Sequence, residues 1–533
     1  MSPLARPWRA ALCFALLGLL PGGMARAASV GDAEVRAAVD LLHPEGESRR
    51  YWVDEGERPT RQMLALLSDM QDAKRRGLDP EDYAVEDLRR RAAQLPQSGP
   101  AAAAAFDHDF THALARYLVH LERGRVRPED AGYALAPRRL SPDLPALLRT
   151  LATATDGIAR LDAVEPRYRH FALLKRALHR YRELAAAGPD ITLPALSRRS
   201  VHPGEPYPDV MALRRRLRQL GDLPASASVE SVPLQLDDET VAGLKAFQQR
   251  HGLAADGVLG EATRRELNLP LAHRLRQLEW SMERVRWLPP PPDGPFIVVN
   301  IPQFRLFAFR GPVDAEQAMT AMNVIVGKTF PRFRTPVFMA DIRQVVFRPY
   351  WDVPRNILRN ELLPDLRRNP SLVEREGYEA VRGQRDDSPV VPWSNAVLEE
   401  LATGQLRLRQ RPGPKNALGG VKFLLPNPYD VYLHSTPAQR LFGQSRRAFS
   451  HGCVRVEDPV ALARFVLEGE TDWEEGRIQS AMIEGPASAR LTVKRPIPVM
   501  VFYATAVASE DGRVRFFDDL YGHDKRLEAL LRR

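Results

Sequence analysis

The stretch AFSHGCVRVED, residues 448–458, carries Cys453, one of only two cysteines in a chain of 533 residues. His451 precedes this cysteine by two positions and Arg455 follows it by two. Because charged and strongly polar side chains are seldom buried together, the stretch is too polar for an ordinary hydrophobic core. The residues around this sulfur therefore indicate which kind of site and which fold to expect.

The N-terminus has the layout of a secretory signal peptide over residues 1–27. Arg6 and Arg9 form a basic segment, residues 10–20 are apolar, and Ala-Arg-Ala at 25–27 supplies a cleavage site. The apolar run is well short of the ~20 residues that a membrane-spanning helix needs. We therefore expect a cleaved signal and a periplasmic protein.

Cleavage of this signal removes Cys13, the second cysteine. Secreted proteins usually carry cysteines in pairs, as disulfides. Cys453 then has no partner for an intramolecular disulfide. It is a buried inert thiol, a metal ligand or a nucleophile.

The composition indicates several domains with real hydrophobic cores. The length suggests about two to four domains, and 44% hydrophobic residues argue against disorder. The net charge of +9 suits an anionic partner such as a cell-wall polymer or membrane headgroups. An arginine-rich composition with no functional meaning explains the charge equally well. No basic run is interleaved with aromatic residues, so nucleic acid is not an expected partner.

Residues 28–200 are predicted to form an α-helical scaffold, with no catalytic pattern. Apolar residues recur there at helical spacing, and each such segment ends in glycine or proline. One helical stripe is formed by Met63, Leu64, Leu67 and Met70.

Residues 203–270 contain two amphipathic helices, a glycine turn and a third short helix. The turn follows the pattern D-G-x-x-G-x-x-T from Asp256 to Thr263. This order resembles the small peptidoglycan-binding domain of cell-wall enzymes, and a generic three-helix bundle is the alternative. The two helical stripes consist of Val210, Leu213, Leu217 and Leu220, and of Val241, Leu244 and Phe247.

The proline-rich run at 288–295 marks a boundary, beyond which the hydrophobic pattern alternates with period two. Residues 295–506 are predicted to form a mainly-β domain. Residues 355–410 are more polar and partly helical, which indicates an insertion in the sheet. Residues 507–533 are a C-terminal extension.

In DVYLHS, residues 430–435, Val431 and Leu433 alternate with Tyr432 and His434. Successive side chains of a strand point to opposite faces, so the two aliphatic residues are predicted to face the core. Tyr432 and His434 then share the other face. The polar, turn-rich segment that follows is able to fold back and bring Cys453 to His434.

His434, fifteen further residues and then SHGCVR (450–455) resemble the signature of the L,D-transpeptidase catalytic domain. With the helical N-terminal region, the peptidoglycan-binding-like segment and the insertion, the chain resembles the large multidomain Gram-negative branch of that family. Two positions depart from its pattern: Arg348 stands where asparagine is expected, and Ser435 where aspartate is common. Supporting features are Gly327 and Lys328, Thr335 and Pro336, PYWDVP (349–354) and YATA (503–506).

The chemistry of a cysteine nucleophile assigns roles to these residues. Cys453 is expected to attack, and His434 to exchange protons with it, stabilising the thiolate as an imidazolium. A backbone carbonyl near Ser435 is expected to hold the other ring nitrogen of His434. The N–H groups of Gly452 and Cys453 and the Tyr432 hydroxyl are candidates for an oxyanion hole. The further candidates for shaping the loop or binding substrate are Ser450, Ser435, His451 and Arg455.

The resemblance implies attack of Cys453 on a tetrapeptide stem, release of the terminal D-Ala, and transfer of the thioester to an amine as a 3–3 cross-link. Other acceptors stay open: water, a free D-amino acid or a lipoprotein lysine. The insertion is expected to shield the site as a lid, with Trp351 and Trp393 as aromatic walls, although ordinary core packing is preferred for Trp351. Stem peptides and glycan are the expected partners of a monomer, with glycan synthases and carboxypeptidases as further partners.

Three rival sites are less well supported. His434, His451 and Cys453 could bind zinc but lack a clear fourth ligand, so neither a metal nor another cofactor is expected. A papain-like protease has its cysteine upstream of its histidine, and a serine D,D-transpeptidase needs an S-x-x-K motif, which is missing. A catalytically silent wall-binding scaffold remains the alternative from another class.

Overall fold

The computed structural model describes residues 30–46, 49–135, 143–230, 233–311 and 318–532. The predicted signal peptide and Cys13 lie outside these residues. Within them, no helix combines the length and the apolar character that crossing a membrane requires.

The N-terminal region is helical, as predicted. Its helices surround a separate hydrophobic core in which Met63, Leu67 and Met70 are buried. The expected position of Leu64 in this stripe is wrong: Leu64 is exposed and Leu66 is buried instead, since a helix turns by 3.6 residues and position 66 completes the inner stripe. The helices are α1 (Asp32–Leu42), α2 (Arg61–Gln71), α3 (Val85–Gln94), α4 (Pro100–Arg123), α5 (Leu144–Thr153), α6 (Gly157–Val164) and α7 (Arg169–Ala186).

The next region is a three-helix unit, and both predicted apolar stripes are buried in it. The side chain of Gln248 holds the glycine turn: its amide accepts from Gly257 N at 2.9 Å and donates to Thr263 Oγ1 at 3.2 Å. Its elements are β1 (Ser200–Val201), α8 (Val210–Leu220), α9 (Asp238–Arg250), β2 (Leu259–Gly260) and α10 (Glu261–Leu267).

One long helix, α11 (Leu271–Arg286), connects this unit to the rest of the chain. Its polar side chains are buried and reach three regions. Glu283 accepts hydrogen bonds from the backbone N–H groups of Arg125 (2.6 Å) and Val126 (2.9 Å). Arg274 binds Glu266 of α10 at 2.6 Å, and Arg284 binds Asp524 near the C-terminus at 2.6 Å.

The region after α11 begins with four strands that are rich in buried residues. Val, Ile and Phe are frequent in these strands, and such residues favour extended backbone. The strands are β3 (Phe296–Asn300), β4 (Arg305–Phe309), β5 (Thr320–Gly327) and β6 (Phe338–Phe347).

Residues 351–410, hereafter the insertion, form a unit with its own hydrophobic core. Helices are present as predicted, but the insertion also contains a four-stranded antiparallel sheet in the order β7-β10-β8-β9, which the sequence pattern does not indicate. Trp351 and Trp393 are partly buried against this core. Its elements are β7 (Trp351–Asp352), α12 (Arg355–Ile357), a π-helical turn (Leu358–Leu362), α13 (Leu363–Arg368), α14 (Leu372–Glu376), β8 (Tyr378–Val381), β9 (Val390–Val391), α15 (Asn395–Thr403) and β10 (Arg407–Gln410).

The main sheet then resumes at residue 421. The last pair of β6 and its partner joins Phe347 to Val421, and Arg348 N donates to Gly420 O at 2.8 Å just beyond it. The elements that follow are β11 (Val421–Leu424), β12 (Leu433–His434), β13 (Ala448–Ser450), β14 (Val454–Val456), α16 (Pro459–Val466), α17 (Glu475–Ile483) and β15 (Ala489–Phe502).

The main sheet has nine strands among the described residues, in the order β13-β5-β14-β12-β11-β6-β15-β3-β4. β4 also pairs with β5, so the sheet closes on itself. Beyond it lie β16 (Ala506–Ala508), β17 (Val514–Phe516) and α18 (His523–Leu531), which contains Asp524, the partner of Arg284 on α11. The core of this sheet is continuous with that of the three-helix unit, α7 and α11.

Candidate active site

The imidazole lies on β12, and the thiol lies directly before β14, the parallel strand that pairs with β12. β12 and β14 pair Leu433 with Val454 and His434 with Arg455, and Val454 N donates to Tyr432 O at 3.1 Å. Paired residues project to the same face of a sheet. Because Val431 and Leu433 are buried, the alternation predicted for this strand is confirmed. Tyr432 and His434 therefore share a face with Cys453 and Arg455.

The carbonyl partner predicted for His434 is present. His434 Nδ1 lies 2.6 Å from Ser435 O. Since a carbonyl can only accept, Nδ1 carries the proton and Nε2 is the nitrogen left to take one from a thiol. Burial, the charge of Arg455 and the charge of Lys422 lower the pKa of His434 to about 3. The imidazole is thus neutral in the resting protein.

Cys453 is partly buried and free of any disulfide. Its Sγ lies 3.8 Å from the carbonyl oxygen of Asp430. Burial raises the pKa of the thiol, and hydrogen bonds from the backbone and side chain of Tyr432 offset part of that rise. No hydrogen bond joins Cys453 to His434 in the described part of the chain. His434 pairs with Arg455, which stands two residues beyond Cys453.

Ser450 and Gly452 shape the loop that carries the thiol. Ser450 Oγ donates to Cys453 O at 2.6 Å and accepts from Gly452 N at 3.2 Å. Gly452 has a φ of 127°, a conformation that side chains rarely adopt. The N–H of Gly452 was expected to serve an oxyanion hole. In this structure it already donates to the Ser450 hydroxyl.

A second segment, residues 327–335, contacts this loop. Thr335 Oγ1 donates to Gly452 O at 2.7 Å and accepts from Gly327 N at 2.9 Å. A Cβ on Gly327 would lie 1.9 Å from Phe333 O, so only glycine allows the segment to approach this closely. The supporting features noted in the sequence at Gly327 and Thr335 thus have a structural explanation.

His451 contacts the insertion. Its Nε2 lies 2.7 Å from Glu361 Oε1 and 3.3 Å from Lys328 Nζ, and its ring packs edge-on against Phe333 at 4.6 Å. Burial lowers the pKa of His451, and the hydrogen bond to Glu361 opposes that change. This histidine therefore links the thiol loop to the insertion.

Several residues of the site were missed by sequence reasoning. Glu361 stands 90 residues before its partner, and Lys422 is brought beside His434 by the pairing of β11 with β12. Strand alternation in VKFLLPN could have placed Lys422 on a polar face, but the register that sets it beside the imidazole is not visible in the sequence. Among the described residues, no group of three or more His, Cys, Asp or Glu side chains is arranged to hold a metal ion.

Comparison with known families gives three matches along the chain. Residues 294–478 match the model described as "L,D-transpeptidase catalytic domain" (YkuD), residues 45–178 a "Scaffold domain", and residues 206–267 a "Putative peptidoglycan binding domain". The chain thus carries a YkuD-type L,D-transpeptidase catalytic domain together with a helical scaffold and a peptidoglycan-binding domain.

A curated relative from Haemophilus influenzae is similar to this chain. It is named "Putative L,D-transpeptidase" and is 31% identical over 254 residues, which cover 47% of this chain and 49% of the relative. The match therefore spans about half the length of both proteins.

Among solved structures, a fused zinc-dependent amidase, peptidase and peptidoglycan-binding protein from Clostridium acetobutylicum is matched at 11% identity, covering 57% of this chain and 99% of that one. Its TM-score of 0.15 is too low for a structural argument.

Proposed function

We propose that this protein is a periplasmic cysteine L,D-transpeptidase that forms 3–3 cross-links between peptidoglycan stem peptides. The observation that carries the proposal is the placement of His434 on β12 and of Cys453 directly before β14, the parallel strand paired with β12, with Nδ1 of the imidazole held by Ser435 O. The match of residues 294–478 to the L,D-transpeptidase catalytic domain supports it.

The first half of the reaction is acylation. As Cys453 Sγ attacks the carbonyl carbon of the third residue of a tetrapeptide stem, its proton passes to His434 Nε2. The C–N bond to the terminal D-Ala then breaks, and the imidazolium returns the proton to the departing amine. The products are a thioester on Cys453, free D-Ala and a neutral imidazole.

The tetrahedral intermediate needs donors for its oxyanion. Because Gly452 N–H is bound to Ser450, we assign this role to Cys453 N–H and to the hydroxyl of Tyr432, which already contacts the thiol. Removing one such donor typically costs about 3 kcal/mol of transition-state stabilisation. Burial raises the pKa of Tyr432 well above its ordinary value, so the phenol stays protonated and able to donate.

The second half transfers the acyl group to an amine. The side-chain amine of a diaminopimelate on a second stem attacks the thioester carbon, His434 Nε2 takes one proton of that amine, and the departing thiolate recovers it. An amine succeeds over water only where water is excluded. We assign that shielding to the insertion, which reaches the thiol loop through Glu361 and His451.

The same proposal covers the partners and the location. The match of residues 206–267 supports peptidoglycan as a substrate or partner, and the excess of positive charge suits that acidic polymer. We further propose that the protein is a monomer, reaches the periplasm through its N-terminal signal, and works beside glycan synthases and carboxypeptidases.

The test is incubation of the protein, from residue 28 onward, with purified disaccharide-tetrapeptides, followed by mass spectrometry. We expect a cross-linked dimer that lacks one D-Ala. A tripeptide product alone would identify a hydrolase and overturn the cross-linking proposal, while exchange of D-Ala for an added D-amino acid would identify that acceptor. The Cys453→Ala variant should give none of these products, and activity in this variant would refute the assigned nucleophile.

A further inference from the structure

Two cations flank the imidazole at one level of the sheet. β14 places Arg455 opposite His434 on one side, and β11 places Lys422 opposite His434 on the other. Register partners on neighbouring strands point to the same face and lie within ~5.5 Å of each other at Cβ. Lys422 and Arg455 therefore stand on either side of His434, on the face that carries Cys453.

Neither cation has a counter-ion within the described residues. The side chain of Arg455 takes part in no hydrogen bond or ion pair there, and its Nε is buried without an acceptor. Lys422 likewise has neither, and its Nζ lies 5.9 Å from the centre of the Tyr432 ring. A cation withdrawn from water without a partner is unfavourable. Burial accordingly lowers the pKa of both side chains.

The acidic groups nearby are already engaged elsewhere. Asp352 is paired with Arg407, and Asp386 binds Arg490 at 3.0 Å and Ser488 at 2.7 Å. Arg490 lies on the same level of the sheet, because β6 places Val346 between it and Lys422. Of the three cations on this level of the sheet, Arg490 has a carboxylate partner. Lys422 and Arg455, which flank the imidazole, have none.

From this arrangement we infer that Lys422 and Arg455 form a clamp for the terminal carboxylate of the donor tetrapeptide. The inference rests on the proposed function. The carboxylate of the terminal D-Ala is separated from the attacked carbonyl carbon only by one nitrogen and one Cα, so it must lie close to Cys453 Sγ. Charge-assisted hydrogen bonds from two cations would hold it there. The clamp would thereby select donors that end one residue beyond the attacked carbonyl.

The test compares the disaccharide-tetrapeptide with the same compound ending in a carboxamide. Formation of the thioester on Cys453 is followed by rapid-quench mass spectrometry. We expect the wild-type protein to prefer the free acid by about 10- to 100-fold. Lys422→Met should slow acylation by the acid more than acylation by the amide, so that the preference falls, and Lys422→Arg should restore the preference. Arg490→Met is the control, since Arg490 already binds Asp386, and it should keep the wild-type preference.

Equal acylation by acid and amide in the wild-type protein would overturn the clamp and leave the proposed function intact. An equal loss for both donors in Lys422→Met would also overturn it, since it would show that Lys422 only positions His434.

Equilibrium binding of both compounds to Cys453→Ala, measured by calorimetry, separates the two proposals. Tighter binding of the acid without any acylation in the wild-type protein would support the clamp and refute the transpeptidase. Equal binding of both compounds would refute the clamp.

Discussion

Cys453 and His434 are both neutral at rest, which differs from the imidazolium–thiolate pair expected from the sequence. Burial raises the pKa of the thiol, and burial together with Arg455 and Lys422 lowers that of His434. Two cations on either side of an imidazole oppose its protonation. The proton therefore leaves sulfur during attack rather than before it.

The raised thiol pKa predicts slow alkylation. With iodoacetamide, Cys453 should react more slowly than a free cysteine at about pH 7, and the rate should keep rising beyond the ordinary thiol pKa of about 8.5, because only the thiolate reacts. The measurement is intact-mass spectrometry over a pH series, with glutathione as reference. Fast alkylation with a midpoint below about pH 7 would contradict the neutral pair.

Ser435 and His434 should respond very differently to substitution. His434→Ala should lower kcat/KM by about 10²- to 10⁴-fold through loss of the acid–base group. Ser435→Ala should change it by less than about threefold, because the orienting contact uses the backbone carbonyl. Steady-state assays of D-Ala release check both. A large loss in Ser435→Ala, with unchanged circular dichroism, would show that the hydroxyl itself is needed.

At this scale the sequence predicted the carbonyl partner of His434, and the reactivity of Cys453 and His434 stays a prediction. That contact is local. The engagement of Gly452 N–H by Ser450 and the partnership of Glu361 with His451 were not predictable, because they depend on loop geometry and on contacts distant in sequence.

At the scale of elements, the insertion contacts the loop that carries the thiol (residues 450–453) through Glu361, whose carboxylate lies 2.7 Å from His451. Glu361 lies in a π-helical turn between α12 and α13, and such turns are frequent at functional sites. Its carboxylate is partly exposed, as is the histidine. A partly exposed contact of this kind contributes about 1 kcal/mol or less.

Removing this contact should loosen the insertion. In Glu361→Ala, we expect faster hydrogen exchange over residues 355–376 and an increase in hydrolysed tripeptide relative to cross-linked dimer. The increase should be about fivefold if the bond contributes ~1 kcal/mol. Peptide-resolved hydrogen exchange and product mass spectrometry measure the two effects. The control is Glu374→Ala, an exposed insertion residue that binds Arg411 at 3.2 Å. Identical behaviour of the two variants would show that Glu361 does not hold the insertion.

The sequence predicted elements best where they were long. The amphipathic helices α8 and α9 follow directly from their apolar stripes, and β5 and β6 from their Val and Ile content. The four-stranded sheet of the insertion was missed because its strands are two to four residues long. Strands this short carry too few positions for an alternating pattern.

For the whole molecule, α11 is the structural joint. It contacts the N-terminal helices through Glu283, the three-helix unit through Arg274 and the C-terminal helix α18 through Arg284. These side chains are buried, so each bond is shielded from water. Arginines and glutamates on a helix predict an exposed face, which is why the sequence did not reveal this joint.

Glu283→Ala should weaken the joint. The substitution leaves two buried N–H groups, of Arg125 and Val126, without an acceptor, at a cost of about 2 kcal/mol or more. We expect the N-terminal helices to exchange their amide hydrogens earlier than the main sheet in urea, whereas in the wild-type protein the two exchange together. Glu86→Ala, on the exposed surface of α3, is the control and should leave the transition unchanged. Coincident exchange in Glu283→Ala would show that α11 does not couple these regions.

The insertion leaves and rejoins the main sheet at adjacent positions, and this affects how its length can vary. Phe347 and Val421 are the last pair of β6 and β11, and just beyond this pair Arg348 N donates to Gly420 O at 2.8 Å. Topologically, residues 348–420 are one hairpin connection. Loop-closure entropy rises only by about 0.6 kcal/mol for each doubling of such a connection. This segment can therefore be shortened, lengthened or exchanged between homologues at little cost to the sheet, so the insertion and the sheet can vary separately in evolution and in design.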